Sequence, residues 1–199
     1  MTKEFLSAIK ARRSIYGISK DVTVSDEKIQ EIVNEAVKHT PSSFNSQSAR
    51  VVVLLGEQHD KLWNLTEQTL KDIVPAENFA PTAEKMAAFR NGYGTVLFFE
   101  DNAVIEGLQS QFAAYKDNFP IWSQQSSGML QLVVWTALEA EGLGATLQHY
   151  NPLIDQKVAS EWNLPASWKL IAQMPFGNVV APAGEKQFGP LEDRIKVFK

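Results

Sequence analysis

The segment that most restricts the fold runs from Met129 to Ala140, where Met129, Leu130, Leu132, Val133, Val134, Trp135, Ala137, Leu138 and Ala140 leave almost no polar face. A surface helix shows a single apolar stripe, so a helix apolar around most of its circumference must be covered on most sides. The chain has 199 residues, the upper range of one ordinary domain, and its core has limited depth to surround such a helix. A second copy of the chain is the natural cover, and Trp135 lies either on the shared surface or in the intramolecular core. Ser126-Ser127-Gly128 reads as the opening of this helix, and Gly142 as the left-handed residue that ends it.

Other periodic segments alternate between helix and strand. Phe5, Leu6, Ile9 and Ile15 mark a first amphipathic helix ending near Arg12-Arg13-Ser14. Ser25 is the expected N-cap of a helix carrying Ile29, Ile32, Val33, Ala36 and Val37 at helical spacing. The polar stretch Pro41 to Ser48 feeds Ala49 to Leu55, a β-branched run that reads as a buried strand closed by Gly56. His59 to Val74 and Thr82 to Asn91 read as helices, Gly94 to Glu100 as a second buried strand, and Leu108 to Phe119 as an aromatic-rich helical segment stopped by Pro120. Pro152 to Trp162 is a short helix and Trp168 to Met174 a further strand. With no internal repeat and no linker-like stretch, the expectation is one α+β domain over residues 1–199.

Composition excludes several chemistries. There is no cysteine, which removes disulfides, thiolate metal sites and cysteine nucleophiles. His39, His59 and His149 lack any metal-ligand spacing, and no Gly-x-Ser-x-Gly elbow occurs. A formal net charge of −4 disfavours general nucleic-acid binding. The charged N-terminus has no signal-peptide core, and no apolar run approaches the roughly 18 residues that span a bilayer. The expected location is the cytoplasm, with neither membrane nor nucleic acid as a partner. Glu139 and Glu141, two apart on a helix, point to different faces and form no acid/base pair. The lack of an obvious nucleophile or general base suits an enzyme whose cofactor carries the chemistry.

Four segments offer ligand chemistry. Arg12-Arg13-Ser14 at a helix end presents two planar cations and a hydroxyl, which reads either as a solvated basic patch or as a set suited to a phosphate monoester. Asn45-Ser46-Gln47 offers amide donors and acceptors of the kind a flat heterocycle with alternating carbonyl and N–H edges requires. Gly142-Leu143-Gly144, followed by Leu147 to Pro152, would let backbone approach a planar ligand, although Gly142 also serves as a helix cap. Arg194 and Lys196 lie in a tail of alternating charged and apolar residues, which reads either as an edge strand or as a cover for an anion.

In this order, the Arg-Arg-Ser, the Pro-Ser-Ser-x-Asn-x-Gln loop at residues 41–47, the Gly-Leu-Gly after a long buried helix and the basic tail resemble the nitroreductase family. The resemblance runs from Lys10 to Val197. The Leu147 to Pro152 stretch and the Pro190 to Phe198 tail are most similar to its short branch of fatty-acid-repression and oxidative-stress nitroreductase-like proteins and copper-induced bacterial nitroreductases. It implies a mostly antiparallel sheet flanked by helices, and an intertwined FMN-bound homodimer with active sites at the subunit interface. It places Arg12, Arg13 and Ser14 on the FMN phosphate, and Asn45, Ser46 and Gln47 on the ring edge or ribityl chain. The backbone of His149 and Tyr150 would lie against the ring, able to donate to its N5. Tyr16 stands where larger members carry a cation near the pyrimidine end. Phe188-Gly189 replaces their arginine before Pro-Leu-Glu, so Arg194 would complete the phosphate site with Lys196 near it.

The implied activity is reduction of nitroaromatics, quinones or related acceptors with NAD(P)H by a ping-pong hydride mechanism, in oxidative or metal stress. Phe44, Phe119, Trp122 and Tyr150 are candidates to stack on flat substrates, or else interface packing. The second function open at this point is a flavin-binding or flavin-sequestering regulatory protein without efficient turnover.

Overall fold

A computed structural model describes residues 4–199. Its centre is strand β3 (Gly94–Asp101), in which every residue is buried. Alternation along this strand divides the core in two. Val96 and Phe98 pack on one face with Ile32 and Val33 of α2 (Asp26–His39) and Leu130, Val134 and Leu138 of α6 (Phe119–Ala140). Leu97 and Phe99 pack on the other with residues of α3 (Glu57–Lys71), α4 (Ala80–Arg90) and α7 (Asp155–Glu161), including Leu62, Trp63, Phe89 and Val158.

β3 is flanked by β2 (Ala49–Leu55) and by the long β5 (Trp168–Ala181), both antiparallel to it. The far half of β5 carries β1 (Gly17–Ser19) and β4 (Leu143–Ala145), giving the order β1-β5-β3-β2 with β4 also on β5. The sheet is antiparallel in every strand pair, and helices cover both faces. This is the α+β architecture expected from the sequence.

Several boundaries and environments differ from that reading. β2 lies at an edge, and six of its seven residues are only partly buried; apolar run length does not distinguish a central strand from an edge strand. Pro120 begins a helix instead of ending one. It occupies the first turn of α6, where a missing N–H costs nothing, so Ser126-Ser127-Gly128 lies inside that helix. The preceding helix, α5 (Asn102–Gln111), starts earlier than expected because the Asp101 side chain caps it, accepting from Ala103 N–H at 3.1 Å. The first helix, α1 (Phe5–Ala11), buries only Ala8, while Phe5 and Leu6 stand exposed. α6 is not enclosed within one chain: Leu130, Val134 and Leu138 are buried, but Met129, Leu132 and Val133 remain 41–45 % exposed on the other side. Among the described residues no helix is long and apolar enough to cross a membrane. The tail beyond β5 forms no strand; a turn at 191–194 is its one local feature.

Candidate functional site

α1 ends at Arg12, whose backbone N–H closes the helix on Ala8 O at 2.8 Å while its own ψ of 117° turns the chain extended. The extended residues then run beside β4. Ser14 bridges Ala145, and Ile15 N–H donates to Ala145 O at 3.0 Å. Gly144 makes this approach possible: a Cβ there would lie 2.8 Å from both Ile15 Cγ2 and Val179 Cγ2. The second glycine of Gly-Leu-Gly thus admits Ile15 where a ligand was expected, and Gly142, at φ 85°, is the left-handed helix end. Gly144→Ala should therefore cost about 1–3 kcal/mol through overpacking, read as a lower denaturant midpoint. An unchanged midpoint would mean that the segment is not held where we describe it.

The two arginines of this segment face different neighbours. The Arg12 guanidinium sits over the Trp135 ring, 4.3 Å from its centroid. Among the described residues no carboxylate acts on Arg12; burial, and then the like charge of Arg13, lower its pKa. Arg13 donates to Gly184 O at 2.8 Å, tying the start of the tail to the site. Cations held together without an acid leave a demand for an anion.

Farther along, Tyr16 is half exposed and its ring lies 6.1 Å from Phe89. Tyr150 packs edge-on against Trp63, and burial, followed by proximity to Tyr16, pushes its phenol pKa up to about 12. Lys85 Nζ approaches the rings of Phe89 and Tyr150 at 5.6 and 6.0 Å. Lys85 and Tyr16 thus share Phe89 as a neighbour. The sequence reading missed Lys85, because one lysine on a helix carries no signal until long-range packing places it. Thr146, Gln148 and Tyr150 direct their N–H groups to β5, with acceptors Pro175 O, Gln173 O and Gln173 Oε1. His149 N–H finds no acceptor among the described residues, so it is the available donor of the expected His149–Tyr150 pair. The His149 side chain is exposed and lines a polar cavity of about 720 Å³ with Asn151, Gln131 and Lys169.

The amide loop lies elsewhere. Phe44, Asn45 and Gln47 all adopt left-handed backbone, at φ 58°, 49° and 48°. Asparagine tolerates this conformation, but a phenylalanine pays for it. The strain is held by surrounding contacts. Phe44 is caged by the rings of Phe112, Tyr115, Phe119 and Trp122 at 4.9–6.0 Å. Gln47 N–H donates to Ser42 Oγ at 3.0 Å, and Arg50 Nη1 donates to Gln47 O at 2.7 Å. Ser48 Oγ donates at 2.6 Å to the buried Glu100, whose pKa burial raises. The side chains of Asn45 and Gln47 stay exposed; Ser46 is half-buried.

Within one chain these groups do not meet. Ala49 pairs with Glu100, which pairs with Lys169 on β5, whereas Ser14 bridges Ala145, which pairs with Phe176. The seven positions of β5 between Lys169 and Phe176 amount to about 23 Å at the usual strand rise. Arg12 to Tyr16, Lys85 and Tyr150 thus gather toward one end of the sheet, and Asn45 to Gln47 belong to the other. Arg194 and Lys196 lie on the exposed tail turn, where Arg194 N–H donates to Leu191 O and Lys196 Nζ to Glu192 O at 2.7 Å. No contact among the described residues brings either of them to Arg12. Trp135 is partly buried, packs on Arg12 and donates its indole N–H to Ala145 O at 3.2 Å, so of the two positions open to it the intramolecular one is seen in the single chain.

A family model described as the nitroreductase family matches residues 9–178. The chain belongs to that family. HBN1 of Saccharomyces cerevisiae is 38% identical over 198 residues, 98% of this chain and 96% of that protein. The nitroreductase CinD of Lactococcus lactis, solved with chloramphenicol, is 49% identical with a TM-score of 0.91, covering 98% of this chain and all of CinD. CinD has also been solved with 4-nitrophenol. A Desulfovibrio desulfuricans protein solved with FMN shares the fold at a TM-score of 0.71 and 21% identity over the full length of both chains.

Proposed function

We propose that this nitroreductase-family chain is an FMN-dependent oxidoreductase that uses NAD(P)H to reduce nitroaromatics, quinones or related acceptors, and that it works as a homodimer. The observation that carries the reading is the adjacent pair of guanidinium groups at Arg12 and Arg13, with no acid among the described residues acting on Arg12. This donor set fits a phosphate monoester, for which guanidinium forks are the preferred partner. The nitroaromatic ligands of CinD support the acceptor class.

When bound, FMN supplies the hydride chemistry, accepting from the nicotinamide and donating to the second substrate. The chain's residues bind and orient. Arg12, Arg13 and Ser14 would hold the phosphate. Lys85 would supply the positive charge that Tyr16 does not, beside the pyrimidine end of the ring, where negative charge on the reduced cofactor is favoured by a nearby cation. The free His149 N–H would face the ring. No side chain is assigned as a proton donor.

The separation of the two ends of the sheet favours a second copy, whose Asn45–Gln47 loop would reach the arginine end. Three features need cover. Met129, Leu132 and Val133 form an exposed apolar stripe on α6, β2 leaves its outer edge unpaired, and the tail exposes Phe188, Leu191, Ile195, Val197 and Phe198. A tail of alternating character laid along the partner's β2 would cover both edge and tail. An interface above about 2,000 Å² is the range of obligate dimers.

Two measurements test the reading. Chromophore released by heat should run with FMN; FAD, or failure of the folded chain to take up FMN, would reject the cofactor. Light scattering should report about twice the 22.2 kDa chain mass, and Leu132→Glu, which places a charge on the apolar stripe, should shift the population toward monomer. A wild-type monomer that retains FMN and turns over normally would reject the shared site.

A further inference from the structure

We infer that Trp135 is a positioning residue for the phosphate site: its indole holds the Arg12 guanidinium in the orientation that meets the anion. The inference rests on the phosphate assignment made above. Arg12 lies over the Trp135 ring at 4.3 Å, close enough for the negative face of the indole to attract the cation. The ring is itself anchored. Its Nε1–H donates to Ala145 O at 3.2 Å, the same oxygen that accepts Ile15 N–H at 3.0 Å. One carbonyl thus joins α6, β4 and the extended segment that carries Arg12. The backbone of Arg12 is fixed as well, since its N–H closes α1 on Ala8 O.

The chemical consequence follows from what an indole face does and does not offer. A carboxylate would orient Arg12 equally well, but it would neutralise the charge and occupy the N–H donors. A ring face attracts the cation without accepting its in-plane hydrogen bonds, so the fork remains available to a bidentate oxyanion. It also restricts a long side chain before the ligand arrives, which removes part of the ordering cost of binding. Burial and the neighbouring Arg13 both oppose the charge on Arg12, and the ring offsets them where no acid does. A partly exposed tryptophan among the aliphatic residues at the C-terminal end of α6 is thereby accounted for.

The phosphate makes the test selective, because riboflavin carries the same ring and ribityl chain without it. The full-length chain is reconstituted with FMN and separately with riboflavin, and release on dilution is followed by recovery of free-flavin fluorescence. Trp135→Leu should weaken FMN about threefold to tenfold, the range of a partly desolvated cation–π contact, and leave riboflavin unchanged. Trp135→Met gives the same reading if the leucine chain does not fold. Trp135→Phe keeps a ring face and should retain most of the preference for FMN. Combined with Arg12→Ala, the Trp135 change should add no further loss. Equal weakening of both flavins, or losses that simply add to those of Arg12→Ala, would show a structural role alone and overturn the inference. If Arg12→Ala itself leaves the FMN-to-riboflavin ratio unchanged, the phosphate assignment fails. A normal Arg12 effect with no Trp135 effect sinks only the positioning role.

Discussion

Replacing Arg12 by alanine is expected to reduce FMN affinity by about tenfold to a hundredfold, equivalent to roughly 1.5–3 kcal/mol for a charge-assisted bidentate contact. The change should leave the fold intact, because the side chain is only partly buried and forms no ion pair with the described residues. The Trp135 ring that it covers would gain exposure, at a small cost in stability. A flavin titration reads the effect directly. Affinity within twofold of wild type would mean that the phosphate lies elsewhere. The same titration on Arg194→Ala measures the tail's share, which the position of Arg194 on an exposed turn makes the smaller of the two.

A second large effect lies away from the site, in the core beneath β3. His59 is fully buried. Arg90 O can only accept, so His59 Nε2–H donates to it at 3.3 Å; in the neutral ring Nδ1 then accepts from the Thr95 hydroxyl at 2.8 Å, whose oxygen also accepts Trp63 Nε1–H at 2.9 Å. The partners accommodate a neutral ring with its proton on Nε2, and burial favours that uncharged form. Burial, the largest influence, pushes the pKa down from 6.5 to about 4. The folded state therefore binds fewer protons than the unfolded chain between these values, and stability falls as pH falls through that window. The contribution is fully present above 6.5 and is lost on approaching 4, a change of about 3 kcal/mol. His59→Gln can make the same two hydrogen bonds without titrating. The expected result is an unfolding free energy whose decline between about pH 7 and pH 4 is smaller in the variant than in wild type by that amount. Identical declines would show that His59 is not held neutral in the native core.

How much of this was legible in the chain depends on the kind of signal. Gly94 to Glu100 could be read as a strand because an apolar, β-branched and aromatic run bounded by Gly fits few alternatives. Ser25 was legible as a cap, and its side chain does accept from Lys28 N–H at 3.2 Å. Pro120 was misread because proline after an aromatic stretch suits a helix end and a helix start equally well. The edge position of β2 could not be read at all, since strand order is a property of long-range pairing. The proposed site shows the same division. The Arg12-Arg13-Ser14 set is legible from adjacent residues alone. Lys85 and the stacking of Trp135 on Arg12 depend on elements dozens of positions apart in the chain. The glycine of position 144 was visible, but its use in seating Ile15 was not.

The most direct measurement of the central claim is an anaerobic titration of the FMN-reconstituted protein, first with NADH or NADPH and then with 4-nitrophenol or a quinone. The account predicts that one nicotinamide bleaches the yellow flavin band, that the acceptor restores it, and that the cycle repeats many times per protein chain. A protein that holds FMN but is bleached by neither nicotinamide, or is reduced and then not reoxidised by any nitroaromatic or quinone, would contradict it and identify a flavin-holding protein without turnover.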